Sequence, residues 1–167
     1  MNRRYALGGA GLLGLAIVVF FIMRDRGGPP PPDLPLPRSM AAIGDSITQA
    51  VAVNEEALTG GAEHSWATGI DADDEVLSHY ERLVVAQPAL TGNNFNNSIP
   101  GARMADALAQ AEVTVSQNPD YVVFLMGAND VCTPDAASMT TPAVFESQFR
   151  AALDRLTQGL PAASIYV

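Results

Sequence analysis

The 167-residue chain has no lysine, so all nine of its basic residues are arginines, and it has a single cysteine. One cysteine cannot form an intramolecular disulfide, which excludes a disulfide-stapled mini-protein and a zinc site built from several cysteines. Charged residues make up only 16% of the chain and apolar residues 48%. This balance is typical of a folded core rather than of a disordered chain.

Positive charge is scarcest in the body of the chain. The 129 residues from Ser39 onward carry 16 acidic residues and four arginines. A surface this acidic repels a phosphate backbone, so nucleic acid is excluded as a general partner.

Residues 5–23 form an uncharged apolar run of 19 residues with arginines on both sides. As a helix the run would rise roughly 28 Å, about the thickness of a bilayer core. It exceeds the apolar region of a typical signal peptide and lacks a small-x-small cleavage site, which favours an uncleaved anchor; secretion after signal cleavage is the alternative. We predict an anchor or signal segment (1–26), a Pro-rich extended linker (27–38) and a membrane-anchored, extracytoplasmic domain (39–167).

Within the apolar run, residues 9–14 match the glycine spacing of a dinucleotide-binding fingerprint. No strand precedes this segment and no acidic residue follows at the expected interval, so small residues in a membrane helix explain it better. The domain contains no phosphate-cradling loop either. We therefore expect no cofactor, and a nucleotide-binding function is disfavoured.

Strands and helices alternate along the domain. Short apolar or β-prone segments predict strands at 40–43, 94–99, 121–126 and 164–167. Residues 51–74 are predicted to form a long loop, followed by a helix at 75–85. A second helix, with an apolar stripe of Met104, Leu108, Ala111 and Val115, runs to Pro119, and a third begins with Thr141 as N-cap and ends at Gly159. This order predicts a parallel sheet with helices on both faces.

Three polar turns follow the first three strands: Gly44-Asp45-Ser46, Pro100-Gly101 and Gly127-Ala128-Asn129-Asp130. Ligands bind at the carboxyl ends of parallel strands, so these turns are expected to meet in one crevice. A serine nucleophile there needs preorganised donors for the oxyanion of its tetrahedral intermediate, each worth about 10²-fold or more in rate. The backbone N–H groups of Ser46 and Gly101 and the side-chain amide of Asn129 can supply three.

In these three blocks the sequence resembles the SGNH, or GDSL, hydrolase family. The blocks are Gly44-Asp45-Ser46-Ile47-Thr48, Asn97-Ser98-Ile99-Pro100-Gly101 and Gly127-Ala128-Asn129-Asp130, and the segments Ser65–Gly69 and Asn129–Cys132 look like its phospholipase-B-like and lipase-like branch. The resemblance implies a flavodoxin-like three-layer α/β/α fold and hydrolysis of carboxylic esters through an acyl-enzyme, without a metal. It implies Ser46 as nucleophile and Gly101 and Asn129 as oxyanion donors. Asp45 and Asp130 match positions that we interpret as structural supports of the turns.

The sequence departs from the family in its general base, which is the histidine of an Asp-x-x-His block near the carboxyl terminus. This chain has no Asp-x-x-His, and its two histidines, His64 and His79, lie between the first and second blocks. Without a base, a serine is a weak nucleophile. We interpret His79 as a solvated helix residue and keep His64, in the flexible loop, as a minor candidate for the base.

Other residues have simpler interpretations. The acidic run 71–75 lacks the glycine of a calcium loop, so we interpret it as a solvated turn. Cys132 is predicted to be a small buried residue; the alternative, for an exported protein, is pairing with a cysteine that this chain does not contain. Trp66 either packs in the core or forms a wall of the cleft.

We therefore expect a membrane-tethered ester hydrolase of the lipase or esterase type, acting on a small-molecule or lipid ester. The alternative is a non-catalytic remnant or binding module that keeps the cleft. Because the chain stops in its fourth predicted strand, we expect the domain to be truncated at its carboxyl end, with the base in the missing part.

Overall fold

A computed structural model of the chain describes residues 35–53 and 61–167. Its centre is a parallel sheet of four strands in the order β2-β1-β3-β4. The strands are β1 (Met40–Gly44), β2 (Asn94–Asn96), β3 (Tyr121–Leu125) and β4 (Ser164–Tyr166). This parallel α/β arrangement confirms the predicted fold class.

Four α-helices lie in the described part of the chain: α1 (His79–Ala86), α2 (Ala107–Gln117), the single turn α3 (Ala128–Val131) and α4 (Pro142–Gly159). Short 3₁₀ turns occur at Ala62–His64, Pro88–Leu90, Met104–Asp106 and Ala136–Ser138. As predicted, Thr141 caps α4: its side chain accepts a hydrogen bond from the Val144 N–H, and Pro142 occupies the first helical position.

Two apolar clusters, one on each face of the sheet, explain the three layers. Successive side chains of a strand point to opposite faces. In β3, Val122 and Phe124 accordingly pack with residues of α2 and α4 such as Ala111 and Leu156, while Val123 packs on the other face with Tyr80 of α1. The sheet is thus covered from both sides, as its continuous apolar strands predict.

The second strand is shorter than the predicted 94–99. The Asn97 and Ile99 N–H groups still donate to the Ala42 and Gly44 carbonyls (2.8 and 3.1 Å). The Gly44 N–H, however, donates to the side-chain oxygen of Gln110 (2.9 Å) and not to β2. The ladder therefore loses one of its hydrogen bonds after Asn96, where the strand ends.

The first helix starts four residues later than the predicted 75. Ser78 and Glu81 form a capping box: the Ser78 hydroxyl accepts from the Glu81 N–H (3.0 Å), and the Glu81 carboxylate accepts from the Ser78 N–H (2.8 Å). Two of the otherwise unpaired N–H groups of the first turn are satisfied in this way, which sets the helix start.

The apolar stripe predicted for the second helix was partly wrong. Leu108 is 40% exposed, while Ala107, Gln110 and Thr114 are buried. Two polar side chains therefore occupy the inner face of α2, where both have hydrogen-bond partners. Asn118, in a left-handed conformation (φ 52°), ends the helix just before Pro119.

The predicted anchor at residues 5–23 lies outside the described residues, as does most of the linker. Among the residues that the structure describes, no helix is both long enough and apolar enough to cross a membrane.

Candidate active site

The three polar turns lie at the carboxyl ends of β1, β2 and β3. The chain moves from β1 to β2 on one side and then returns to β3 on the other, so the strand order reverses between β1 and β3. In open parallel sheets the crevice at such a reversal is the usual binding site. Ser46 follows β1 and Asn129 follows β3, so these two residues flank that crevice.

Gly44, the last residue of β1, is held by a buried glutamine of α2. The Gly44 N–H donates to Gln110 Oε1 (2.9 Å), and Gln110 Nε2 donates back to the Gly44 carbonyl (3.0 Å). The same carbonyl accepts from the Ile99 N–H of the second turn (3.1 Å). Gln110 is only 2% exposed, so it fixes the backbone two residues before Ser46. Sequence reasoning missed it, although a glutamine inside an amphipathic helix was a readable signal.

Glycine is required at position 44 by close packing. A Cβ there would lie 2.3 Å from Thr48 Oγ1 and 2.8 Å from the Leu125 carbonyl oxygen. These distances are far below van der Waals contact, so the first turn and β3 approach each other more closely than any side chain allows.

Asp45 shapes the turn around Ser46. Its side chain is buried, and Oδ1 accepts a hydrogen bond from the Ile47 N–H (2.9 Å). The Gln49 N–H donates to the Asp45 carbonyl and the Val51 N–H to the Ser46 carbonyl, both at 3.0 Å, so a helix-like turn follows the serine. Ser46 itself is half-buried. The Asp45 side chain thus contacts the backbone of the turn that contains Ser46.

Gly101 occupies a turn that only glycine adopts readily. The Ala102 N–H donates to the Ile99 carbonyl (3.0 Å), and Gly101 has φ +80°. Proline at the second position and a positive-φ glycine at the third are the signature of a type II turn. Nothing lies within 4 Å of the position that a Cβ would occupy, so conformation rather than crowding requires glycine.

Asn129 connects all three turns. Its Nδ2 donates to the Ala102 carbonyl (2.9 Å), next to Gly101, and lies 3.5 Å from Asp45 Oδ2, next to Ser46. The structure therefore brings together the turns that contain Ser46, Gly101 and Asn129. In the described part of the chain, neither the Ser46 nor the Gly101 backbone N–H donates to another group.

Asp130 supports the third turn through a side-chain and a backbone hydrogen bond. It is buried, Oδ2 accepts from the Met104 N–H (2.9 Å), and the Thr140 N–H donates to its backbone carbonyl (2.9 Å). Asp130 thus joins the turn to the start of the segment that carries Gln110. Gly127, which precedes the turn, has φ +128°.

The loop predicted at residues 51–74 is more ordered than expected where it is described. Ser65 Oγ donates to the Thr48 carbonyl (2.7 Å), and Asn96 Nδ2 donates both to that carbonyl (3.2 Å) and to Thr68 Oγ1 (2.8 Å). These buried and partly buried contacts connect residues 65–68 to β2 and to the turn after Ser46. Long-range polar contacts of this kind leave no periodic signal in a sequence.

His79 is not the solvated residue that we expected. Its Nδ1 lies 3.1 Å from the Tyr121 hydroxyl, and its ring makes an edge-to-face contact with Trp66. Burial lowers the pKa of His79 below its ordinary value. Tyr121 is the first residue of β3, so His79 lies at the amino end of that strand, about 13 Å from its carboxyl end by the rise of four residues. Trp66 packs on the edge of the second apolar cluster, as one of our two interpretations had it.

His64 and the acidic run also differ from expectation. His64 Nδ1 lies 2.9 Å from Asp74 Oδ2 and 3.3 Å from Asp71 Oδ2, so these carboxylates face an imidazole rather than solvent alone. The hydrogen bond with Asp74 raises the pKa of His64 and lowers that of Asp74.

Cys132, predicted to be buried, is exposed, because the short helix α3 ends there at the surface.

Comparisons with known proteins bear on this geometry. The sequence model of the GDSL-like Lipase/Acylhydrolase family matches residues 42–167. No curated protein sequence gives a match.

Solved structures share the fold. A protein from Parabacteroides merdae described as a GDSL-like lipase superposes with a TM-score of 0.54 at 22% identity, covering 80% of this chain and 61% of that one. An acetylxylan esterase from Geobacillus stearothermophilus gives 0.52 at 24% identity (76% and 57% covered), and the acetyl xylan esterase AlAXEase gives 0.51 at 22% (75% and 55%). This chain spans less than two thirds of each. Since the family model covers most of the sequence, the chain belongs to the GDSL-like lipase/acylhydrolase family.

Proposed function

We propose that this protein hydrolyses a small-molecule carboxylic ester through an acyl-enzyme formed on Ser46. The observation that carries the proposal is the position of Asn129. Its side-chain amide lies against the residue after Gly101 and the residue before Ser46, at the carboxyl edge of the sheet. Membership of a lipase and acylhydrolase family supports the reaction class.

In this mechanism Ser46 Oγ attacks the ester carbonyl, and the carbonyl oxygen becomes an oxyanion. The Ser46 and Gly101 N–H groups and one N–H of the Asn129 amide stabilise that charge. Such preorganised donors act mainly on the transition state, so they raise the rate of the chemical step. Collapse of the intermediate expels the alcohol, which takes up the proton that Ser46 lost, and leaves an ester on Ser46. Water then attacks this ester, the bond to Ser46 Oγ breaks, Oγ regains a proton and the carboxylic acid is released.

Ser46 must lose its proton during the attack, so the reaction needs a general base. His79 is badly placed for this role, because it lies near the amino end of β3 and contacts Tyr121. His64 precedes the segment that binds the Thr48 carbonyl, but its Nδ1 faces Asp74 and Asp71. These engagements favour a second candidate function, a non-catalytic module that binds an ester or its product in the same cleft.

We also propose a location for the protein and a class of substrate. The uncharged run 5–23 supports tethering to a membrane. We propose that the domain lies on the extracytoplasmic side, with secretion after cleavage as the alternative. The acidic body supports a neutral or lipid ester substrate rather than a nucleic acid.

Hydrolysis of p-nitrophenyl acetate and butyrate by the full chain tests the proposal, with Ser46→Ala as control. Imidazole added to the assay serves as an external base. If the oxyanion donors are in place, imidazole should accelerate hydrolysis by the wild type well beyond its effect on Ser46→Ala, and Asn129→Ala should lose about 10²-fold of the difference. Equal rates for wild type and Ser46→Ala at every imidazole concentration would favour the binding module.

A further inference from the structure

A second cluster of chemically active side chains lies outside the three turns that contain Ser46, Gly101 and Asn129. It consists of His64, Asp71 and Asp74, whose nearest ligand-type atoms all lie within 4.8 Å of one another. His64 belongs to the 3₁₀ turn Ala62–His64, and the two acids come from the run that follows. All three side chains are partly buried.

The contacts of the imidazole distinguish this cluster from an ordinary acidic turn. Both carboxylates approach the same nitrogen, His64 Nδ1, at 2.9 and 3.3 Å. The other oxygen of each carboxylate already accepts a backbone N–H, Asp71 Oδ1 from Asp73 and Asp74 Oδ1 from Val76 (2.9 and 2.8 Å). Both Oδ2 atoms therefore face the same imidazole nitrogen, whose single N–H cannot make two good hydrogen bonds. A cation among the three atoms would bind both Oδ2 atoms at once.

The separations fit a small divalent ion. With bonds of about 2.0–2.2 Å, two ligand atoms of a tetrahedral zinc site lie about 3.3 Å apart. The two nitrogen–oxygen separations are close to this value, and all three ligand atoms lie within 4.8 Å of one another. An adjustment of the carboxylate side chains would bring all three atoms onto one ion. The ligand atoms belong to a segment that is already tied down, because the N–H groups of Ile70 and Asp71 both donate to the Glu63 carbonyl (2.8 and 3.1 Å).

The donor set selects the kind of ion. One imidazole nitrogen and two carboxylate oxygens suit Zn²⁺, with water completing the tetrahedron. Calcium takes six to eight oxygen ligands, and the acidic run lacks the glycine of a calcium loop.

We propose that His64, Asp71 and Asp74 form a binding site for Zn²⁺. The ion would close residues 64–74 into a loop. Ser65, which follows the first ligand, binds the Thr48 carbonyl two residues after Ser46. Zinc would therefore stabilise the segment that packs beside the serine turn, a structural role separate from the proposed hydrolysis.

The experiment uses the full chain without an affinity tag, freed of metal with a chelator. Titration with Co²⁺, which replaces Zn²⁺ and absorbs visible light when tetrahedrally coordinated, should give one ion per chain, and Zn²⁺ should abolish the absorption. His64→Ala should abolish the Co²⁺ band, and Asp74→Asn should weaken Co²⁺ binding at least tenfold. Asp73→Asn is the matched control, because Asp73 is an exposed acid of the same run outside the cluster; it should bind like the wild type.

Thermal unfolding gives a second readout on the wild type alone. Zn²⁺ should raise the melting temperature of the metal-free chain, because a ligand that binds only the folded state stabilises it. The proposal is overturned if no Co²⁺ band forms, if the band persists in His64→Ala, or if Mg²⁺ and Ca²⁺ raise the melting temperature as much as Zn²⁺ does. The last result would indicate diffuse attraction to acidic residues, and the first an ion pair that needs no metal.

Discussion

Gln110 offers the sharpest test of how the serine turn is held. Both polar atoms of its side chain bind the backbone of Gly44, and the side chain is buried. Gln110→Met keeps a similar unbranched shape but removes both hydrogen bonds. The Gly44 carbonyl would retain the Ile99 N–H, whereas the Gly44 N–H would lose its partner.

The expected loss follows from those two groups. A buried N–H without a partner costs about 1–3 kcal/mol, and each hydrogen bond between neutral groups contributes about 1 kcal/mol. Gln110→Met should therefore lower the free energy of unfolding by about 2–4 kcal/mol, a large part of the roughly 5–15 kcal/mol that holds a domain together.

In Gln110→Glu, only one of the two hydrogen bonds depends on pH. The carboxylate can still accept from the Gly44 N–H, but it faces the Gly44 carbonyl with no proton to donate. Burial raises the pKa of such a carboxyl group, and the protonated form can restore the second hydrogen bond. The deficit of this variant relative to the wild type should therefore be larger at pH 8 than at pH 5.

Urea unfolding followed by circular dichroism measures these differences, with Gln158→Met on the exposed face of α4 as control. The control should change the free energy of unfolding by no more than about 0.5 kcal/mol. The Gln110 side chain does not hold Gly44 if Gln110→Met loses no more free energy of unfolding than Gln158→Met. The same conclusion follows if the stability that Gln110→Glu loses does not depend on pH.

Three more predictions concern backbone geometry and titration. Gly101→Ala should lower the free energy of unfolding, measured in urea, by about 1–2 kcal/mol, because φ is +80° although the site has room for a Cβ. Gly44→Ala should lower it by more, because its Cβ would clash with Thr48 and the Leu125 carbonyl. A cheaper Gly44→Ala would contradict the packing. Crystal structures of the two variants should show a shifted first turn only for Gly44→Ala. Burial lowers the pKa of His79 in the folded state, so the unfolded state binds more protons in acid, and His79 should reduce stability as the pH falls below about 6.5. Between pH 7 and pH 5, His79→Gln should therefore lose less free energy of unfolding than the wild type. Parallel curves of stability against pH for the two proteins would contradict this.

The sequence predicts the apolar framework better than its polar contacts. The runs at β1 and β3 are buried on both faces, so composition alone identifies them. The end of β2 and the burial of Gln110 both depend on the hydrogen bonds between the Gln110 side chain and the Gly44 backbone. Periodicity does not encode these contacts.

The turns of the crevice show the same division. Pro100-Gly101 predicts its own turn, because each residue type fits one position of it. The contacts of Asn129 with the Ala102 carbonyl and with Asp45 join segments that are 27 and 84 residues apart. His64 likewise meets Asp74 only because the intervening chain folds back on the Glu63 carbonyl. Local sequence motifs therefore do not predict this pairing.

We propose Ser46 as a nucleophile whose transition state is stabilised by an oxyanion site that includes Asn129. The most direct test is to treat the full chain with a fluorophosphonate probe, with and without imidazole, and to locate the adduct by mass spectrometry of peptides. One adduct is expected, on Ser46; it should form much more slowly in Asn129→Ala and be absent in Ser46→Ala. Labelling that persists in Ser46→Ala, or a wild type that stays unlabelled even with imidazole, would show that Ser46 is not the nucleophile.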